Sequence, residues 1–176
     1  TSLLEQKYEK TQNIVEVAYK VIEYNFSRIA SEGISPQQAQ KDAMSTIAAL
    51  RYDETNYYWI NDYQATMVMH SVKPALNGKN LADFKDPNGN QLFQKMTDIV
   101  KSKGQGFVPY FWAKPGFDAP VAKISYVKGF QEWQWIVGSG IYLDDVDAEF
   151  YSLAVLTISI GAISFVIFAV LTVLIQ

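Results

Sequence analysis

From Leu3 to Ser31 the residues Ile14, Ala18, Val21, Ile22, Asn25 and Ile29 fall at three- and four-residue steps. That spacing gathers them on one face of a helix, and Gly33 marks its end. The opening stretch Glu5–Lys10 is polar and is expected to face water. Ser35, Pro36 and Gln38 start a second helix. A serine caps the free N–H groups, proline suits the first turn, and glutamine three residues on completes a capping box. This helix is expected to run to about Leu50. After Tyr52 the period shortens, and aromatic and β-branched runs alternate with Gly, Pro, Asn and Asp turns. Five strands are predicted: Tyr57–Asp62, Thr66–Ser71, Gly106–Lys114, Val121–Lys128 and Trp135–Tyr142. A hairpin turn at 61–65 joins the first two. A longer excursion with a short helix near Leu92–Lys101 separates the second from the third. The last three follow closely, as in an antiparallel meander. Two helices, two strands, a long connection and three strands define an α+β order.

From Leu153 to Ile175 the chain carries no charge. That run is longer than the roughly 20 apolar residues that span a bilayer. It predicts a C-terminal transmembrane helix over 151–176, behind a globular domain over 1–150. The acidic flank Asp144, Asp145, Asp147 and Glu149 has no adjacent Lys or Arg, which suits the outer side of a membrane. The chain starts at Thr1 and stops at Gln176, where an inner flank would begin; a segment of a longer membrane protein is the expectation. The final strand leads almost directly into the apolar run, so a ligand that shifts that strand has little slack to absorb.

A net charge of −3, without a basic run, argues against a nucleic-acid partner. There is no cysteine, and His70 is the single histidine. Disulfides, thiolate sites and a histidine-rich metal centre are thereby excluded. Asp86-Pro87-Asn88-Gly89-Asn90 resembles the start of a calcium loop, but Gly89 stands at position four and Thr97 at position twelve, where an EF-hand needs Gly at six and an acid at twelve. It is read as a polar turn. The pairs Gly104/Gly106 and Gly138/Gly140 do not open a helix as a phosphate loop does. Gly138 and Gly140 lie on a strand, where glycine marks a close approach or simple packing. No Gly-x-Ser-x-Gly elbow occurs, and the chain is read as non-enzymatic, with no cofactor and no metal.

One cluster suggests binding. Lys123 lies inside a strand, His70 ends another, Tyr110 and Trp112 share one strand face, and Tyr58 and Trp59 sit in the first strand. Cationic and phenolic donors among aromatic rings suit a small carboxylate. The alternative is a solvated lysine and a turn histidine. Arg51 can either interact with the helix C-terminus or point into the pocket mouth; the sequence leaves both open.

The ordered set Arg51-Tyr52, Tyr57–Asp62, Met69-His70, 74–79, Asp86–Gly89, 106–115, Lys123–Val127 and 133–145 resembles the single Cache sensor domain, second subfamily (sCache_2). The resemblance implies a PAS-like five-stranded antiparallel sheet behind a long N-terminal helix. It implies an extracytoplasmic sensory domain, usually of a bacterial methyl-accepting chemotaxis receptor in the inner membrane and less often of a histidine kinase. It implies a short carboxylate ligand such as acetate, propionate, pyruvate or lactate, and a homodimer through the N-terminal helix. The family positions that carry over are Tyr58, Trp59, His70, Tyr110, Trp112, Lys123 and Tyr126. Ideal strand alternation puts Lys123 and Tyr126 on opposite faces, so either one of them is structural or a bulge intervenes. A membrane-anchored protein-interaction module is the remaining alternative.

Overall fold

In the computed structural model, residues 3–53 and 56–175 are described, and of the side chains in the last helix those at 166 and 168–175 are left aside. The order is α1 (Leu3–Glu32), α2 (Pro36–Ala49), β1 (Tyr58–Asp62), β2 (Met67–His70), a 3₁₀ turn (Pro74–Leu76), α3 (Leu92–Lys103), β3 (Gln105–Ala113), β4 (Pro120–Phe130), β5 (Trp135–Tyr142) and α4 (Leu143–Ile175), with a second 3₁₀ turn at Gln131–Trp133. The five strands form one sheet in the order β2-β1-β5-β4-β3, with every neighbouring pair antiparallel. This is the α+β architecture expected, a long N-terminal helix behind a five-stranded antiparallel sheet.

Local chemistry sets the element ends. Ser35 Oγ accepts from the Gln38 backbone N–H at 3.1 Å, and Pro36 occupies the first turn of α2. Helix α3 ends at Gly104, whose φ of 78° lies in the left-handed region open to glycine, and whose N–H donates to Val100 O at 2.7 Å. Helix α3 extends two residues past the expected Lys101, and β4 runs two past Lys128. Pairing with β5, Gly129 with Ile136 and Phe130 with Trp135, keeps β4 extended that far.

Side chains alternate across the sheet. One face carries Tyr58, Ile60, Tyr126, Phe130, Trp135 and Val137, packed under Val15, Ala18 and Ile22 of α1 and Ala43 and Ile47 of α2. The other carries Trp59, Val108, Tyr110, Trp112, Val127 and Ile136, covered by Leu92, Phe93, Met96 and Val100 of α3 and by Leu81 from the long connection. Burying such side chains stabilises by about 1.5–3 kcal/mol each. The pairing of β4 with β3 and β5 has no register shift, so Lys123 and Tyr126 lie on opposite faces without a bulge.

Gly138 sits beneath the Trp59 indole, and a Cβ there would overlap the ring. The glycine therefore marks a close approach, by a side chain of the neighbouring strand. Tyr142 ends β5, and Leu143 opens α4 with no intervening loop. Over Leu143–Phe165 this helix is long and apolar enough to cross a membrane, by length and composition, and its most apolar part is not covered by the rest of the molecule, whereas Val146 in its first turns is buried. Its first turns are tied to the domain. Lys114 pairs with Asp144 at 2.7 Å and Asp145 at 2.6 Å, and Lys7 of α1 pairs with Glu149 at 2.5 Å.

Candidate functional site

Lys123 is the least expected residue of the core. It lies mid-sheet on β4, with Tyr110 of β3 and Tyr142 of β5 as its cross-strand neighbours. Its side chain is 2% exposed. The ammonium donates to Tyr57 Oη at 3.3 Å and lies 4.4 Å from the Tyr57 ring centre, 4.7 Å from Tyr142 and 5.6 Å from Trp59. Ring faces carry negative potential and attract the cation by about 0.5–2 kcal/mol each. No carboxylate forms an ion pair with it among the described residues. Burial, assisted by the charge of Lys73, lowers its pKa to about 7.

His70 closes β2 and is 3% exposed. Its backbone N–H donates to Asn77 Oδ1 at 2.8 Å. Its ring Nδ1 accepts from the backbone N–H groups of Val72 at 3.2 Å and Lys73 at 2.9 Å. The turn after β2 is thus wrapped around the imidazole. The ring lies 5.0 Å from the Tyr57 ring and 6.0 Å from Trp112. Burial first, then Lys123 and Lys73, lowers its pKa to about 3, so it is neutral. Burial likewise lifts the Tyr57 phenol to about 12, and it stays protonated.

Trp112 joins these groups to the surface. Its ring packs on Phe84, Phe93 and Tyr110, and Lys73 Nζ stands 4.8 Å over it. Its indole N–H is buried near the Tyr57 hydroxyl but does not meet it, or any other acceptor, in hydrogen-bond geometry. Native interiors satisfy nearly all such donors, and leaving one unpaired costs about 1–3 kcal/mol. A surface cavity of about 430 Å³ opens beside it, with Lys73, Leu76, Phe84, Phe111 and Pro120 in its wall. Asp86 also borders this cavity, but its carboxylate is spent. Burial alone would raise its pKa, yet hydrogen bonds from Asn90, Phe111 and Asn88 hold it below the ordinary range.

The sheet thus brings Lys123, His70, Trp112 and Trp59 to one face, with Tyr110 beside Trp112. The Tyr110 hydroxyl is held by Ser125 Oγ at 2.8 Å, and the Trp59 indole donates to Asn61 Oδ1 at 3.0 Å. Tyr58 and Tyr126 are on the other face. Tyr58 Oη donates to Ile14 O of α1 at 3.4 Å, and Tyr126 packs 4.9 Å from Phe107. Arg51 is exposed and donates to Ala48 O, Leu50 O and Ser71 O, the helix-terminal role. Tyr57, Lys73 and Tyr142 were not among the expected site residues. Tyr57 precedes the regular part of β1 and shares a face with Trp59, which strand alternation could have revealed. Lys73 is placed by the turn around His70, for which the sequence has no periodic signal.

A larger groove of 630 Å³ runs between α1 and α2, but its cations are already paired, Lys20 with Glu23 and Arg28 with Asp42. Among the described residues, no group of three His, Asp or Glu side chains could hold a metal ion. What distinguishes the first cluster is a surplus of donors and positive charge in an aromatic setting.

A five-stranded antiparallel sheet with a long N-terminal helix on one face and such a cluster on the other is the architecture of a sensory domain, a non-enzymatic kind of module. The chain belongs to the Single Cache domain 2 family, whose sequence profile matches residues 3–155. It is 42% identical over 148 residues to the methyl-accepting chemotaxis protein McpP of Pseudomonas putida, covering 84% of this chain and 27% of McpP. It is 27% identical to the sensor histidine kinase MctS of Rhizobium johnstonii, covering 84% of this chain and 31% of MctS. The chain therefore spans less than a third of the length of these relatives. Among solved structures, a periplasmic sensor domain of a chemotaxis protein superposes with a TM-score of 0.79 at 42% identity, covering 81% of this chain and 99% of that one. A Cache chemosensory domain described for its carboxylic acid recognition superposes with a TM-score of 0.77 at 42% identity, covering 80% and 95%.

Proposed function

We propose that this chain is the periplasmic sensing part of a bacterial inner-membrane chemoreceptor, and that it binds a short monocarboxylate against Lys123. The observation that carries the reading is the buried ammonium, which has no acid partner among the described residues, on the same sheet face as the Trp112 N–H that makes no hydrogen bond. A buried charge without a counter-ion is unfavourable by several kcal/mol. A carboxylate supplies the missing charge and accepts the idle donors in one step. Recognition of carboxylic acids by a Cache domain of 42% identity supports the same ligand class. Lys123, His70, Trp112, Tyr57 and Trp59 form the pocket, with Tyr110 as its wall and Lys73 at its mouth. Tyr58, Tyr126 and Arg51 act as scaffold.

Residues 1–150 lie outside the cytoplasm and 151–176 cross the membrane, with α1 forming a homodimer contact. The signal leaves through Tyr142. Its ring touches the Lys123 ammonium, its hydroxyl donates to Ala113 O at 3.0 Å, and the next residue begins α4. A ligand that repositions Lys123 acts on the last residue before the helix. It biases two arrangements of that helix only by binding one better than the other. The 27%-identical kinase MctS supports a second reading, in which the same module drives a histidine kinase. The segment that follows α4 in the full-length protein decides between the two outputs.

Calorimetric titration of the chain in nanodiscs with acetate, propionate, pyruvate and lactate tests the ligand class. The expected result is saturable one-site heat that Lys123→Met abolishes while circular dichroism stays unchanged. Absence of heat with every acid, or a Lys123→Met protein that binds as wild type, rejects the reading.

A further inference from the structure

The donor inventory of the pocket exceeds what a bare carboxylate needs. Lys123 supplies the charge. Two further donors are neutral: the Trp112 indole N–H, buried and without a hydrogen bond of good geometry, and one nitrogen of His70, which makes no hydrogen bond to the protein among the described residues. Which nitrogen is fixed by geometry. Nδ1 faces two backbone N–H groups, from Val72 and Lys73. It must therefore carry the lone pair, and the proton sits on Nε2. No hydrogen bond from Nε2 to a protein acceptor is present among the described residues. The ring cannot escape the mismatch by ionising, because burial and the charges of Lys123 and Lys73 keep it neutral. Nor can a neighbouring acid accept its proton, since the carboxylate of Asp86 at the mouth is already occupied by Asn88, Asn90 and Phe111.

Charge matching then sorts the ligand atoms. The ammonium pairs with the anionic carboxylate, as charge-assisted bonds are the stronger ones. The neutral imidazole and indole donors match neutral oxygen. We propose that His70, through Nε2–H, is a specificity-determining residue that reads an oxygen on the carbon next to the carboxylate, so that the pocket prefers 2-oxo and 2-hydroxy monocarboxylates over plain ones of equal length. This inference rests on the carboxylate reading above and refines it. A site built to hydrogen-bond an oxygen discriminates against the analogue lacking it, because its donor is then left unpaired.

The test compares pyruvate with propionate, which are both monoanions at neutral pH and have the same carbon count. Two variants separate the two jobs of the histidine. His70→Asn keeps an acceptor at the position of Nδ1, so it can still hold the turn, and removes the Nε2 donor. His70→Gln keeps a donor near the position of Nε2 and removes the turn acceptor. By calorimetry on the chain in nanodiscs, wild type is expected to bind pyruvate about tenfold more tightly than propionate. His70→Asn is expected to bring the ratio near one by weakening pyruvate alone, and His70→Gln to retain most of it. Equal affinities in the wild type, or a His70→Asn protein weakened equally for both acids, overturns this inference alone. A wild type that takes neither acid overturns it together with the carboxylate reading.

Discussion

A lysine side chain inside a sheet reports its surroundings through its proton. In the folded, ligand-free domain Lys123 has a pKa of about 7, against an ordinary 10.5, because burial and then Lys73 disfavour its charge. Between those two values the unfolded chain binds more protons than the folded one, so stability rises with pH through that window. Ligand binding runs the other way, since a carboxylate favours the charged ammonium. Above pH 7 each binding event takes up a proton. Affinity for a carboxylate is expected to fall as pH rises from 7 to 9, approaching tenfold per pH unit. Calorimetry at several pH values, in buffers of different ionisation enthalpy, reads both the slope and the proton count. A flat profile with no proton uptake contradicts the assignment. His70 has the same sign at lower pH. Its folded pKa is about 3 against 6.5, so the stability it contributes is complete above pH 6.5 and is lost as pH falls below. Melts at pH 7 and pH 5 are expected to differ more in wild type than in His70→Asn. At this scale the sequence was partly legible. Lys123 stood out as a charge inside a strand, while His70 at a strand end and Trp112 on a strand face were legible only as candidates beside it. Lys73 and the idle indole N–H depend on a turn and a loop that only the tertiary structure positions.

Elements follow from patterns that sequence carries well. The three-and-four spacing of α1, the Ser35–Pro36 start of α2 and the glycine at the end of α3 each have a local cause, and the strands alternate faithfully. That same alternation decides which aromatics share a face with Lys123. Tyr58 and Tyr126 fall on the α1 face, opposite the Lys123 cluster. Family resemblance alone does not make this distinction, because positions of the two faces are interleaved along one strand. The contact between Gly138 and Trp59 was less legible, since a lone strand glycine does not name what lies over it. Gly138→Ala pushes a methyl into the indole and is expected to cost about 1–3 kcal/mol. Chemical denaturation measures that loss, and an unchanged midpoint contradicts the packing described. Ser35→Ala removes the cap of α2 and is expected to cost about 1 kcal/mol, read by the same unfolding curves.

For the whole molecule, the pocket and the apolar helix share an address. Lys123 touches Tyr142, Tyr142 adjoins Leu143, and Lys114 fastens the first turn of α4 to the end of β3. Helix α1 exposes Val17 and Tyr24 at 60% and 62%, which supports the proposed homodimer contact. Val17→Glu is expected to lower the dimer fraction of the chain in nanodiscs or mild detergent, as read by sedimentation, and an unchanged fraction removes α1 from the interface. The central claim is that the ammonium buried on β4 is the receptor for an acid, and a crystal structure grown with pyruvate examines it directly. The account predicts ligand density with its carboxylate against Lys123 Nζ and its remaining oxygen within reach of His70 Nε2 or Trp112 Nε1. Density that lies elsewhere, with Lys123 still enclosed by Tyr57, Trp59 and Tyr142 alone, contradicts it.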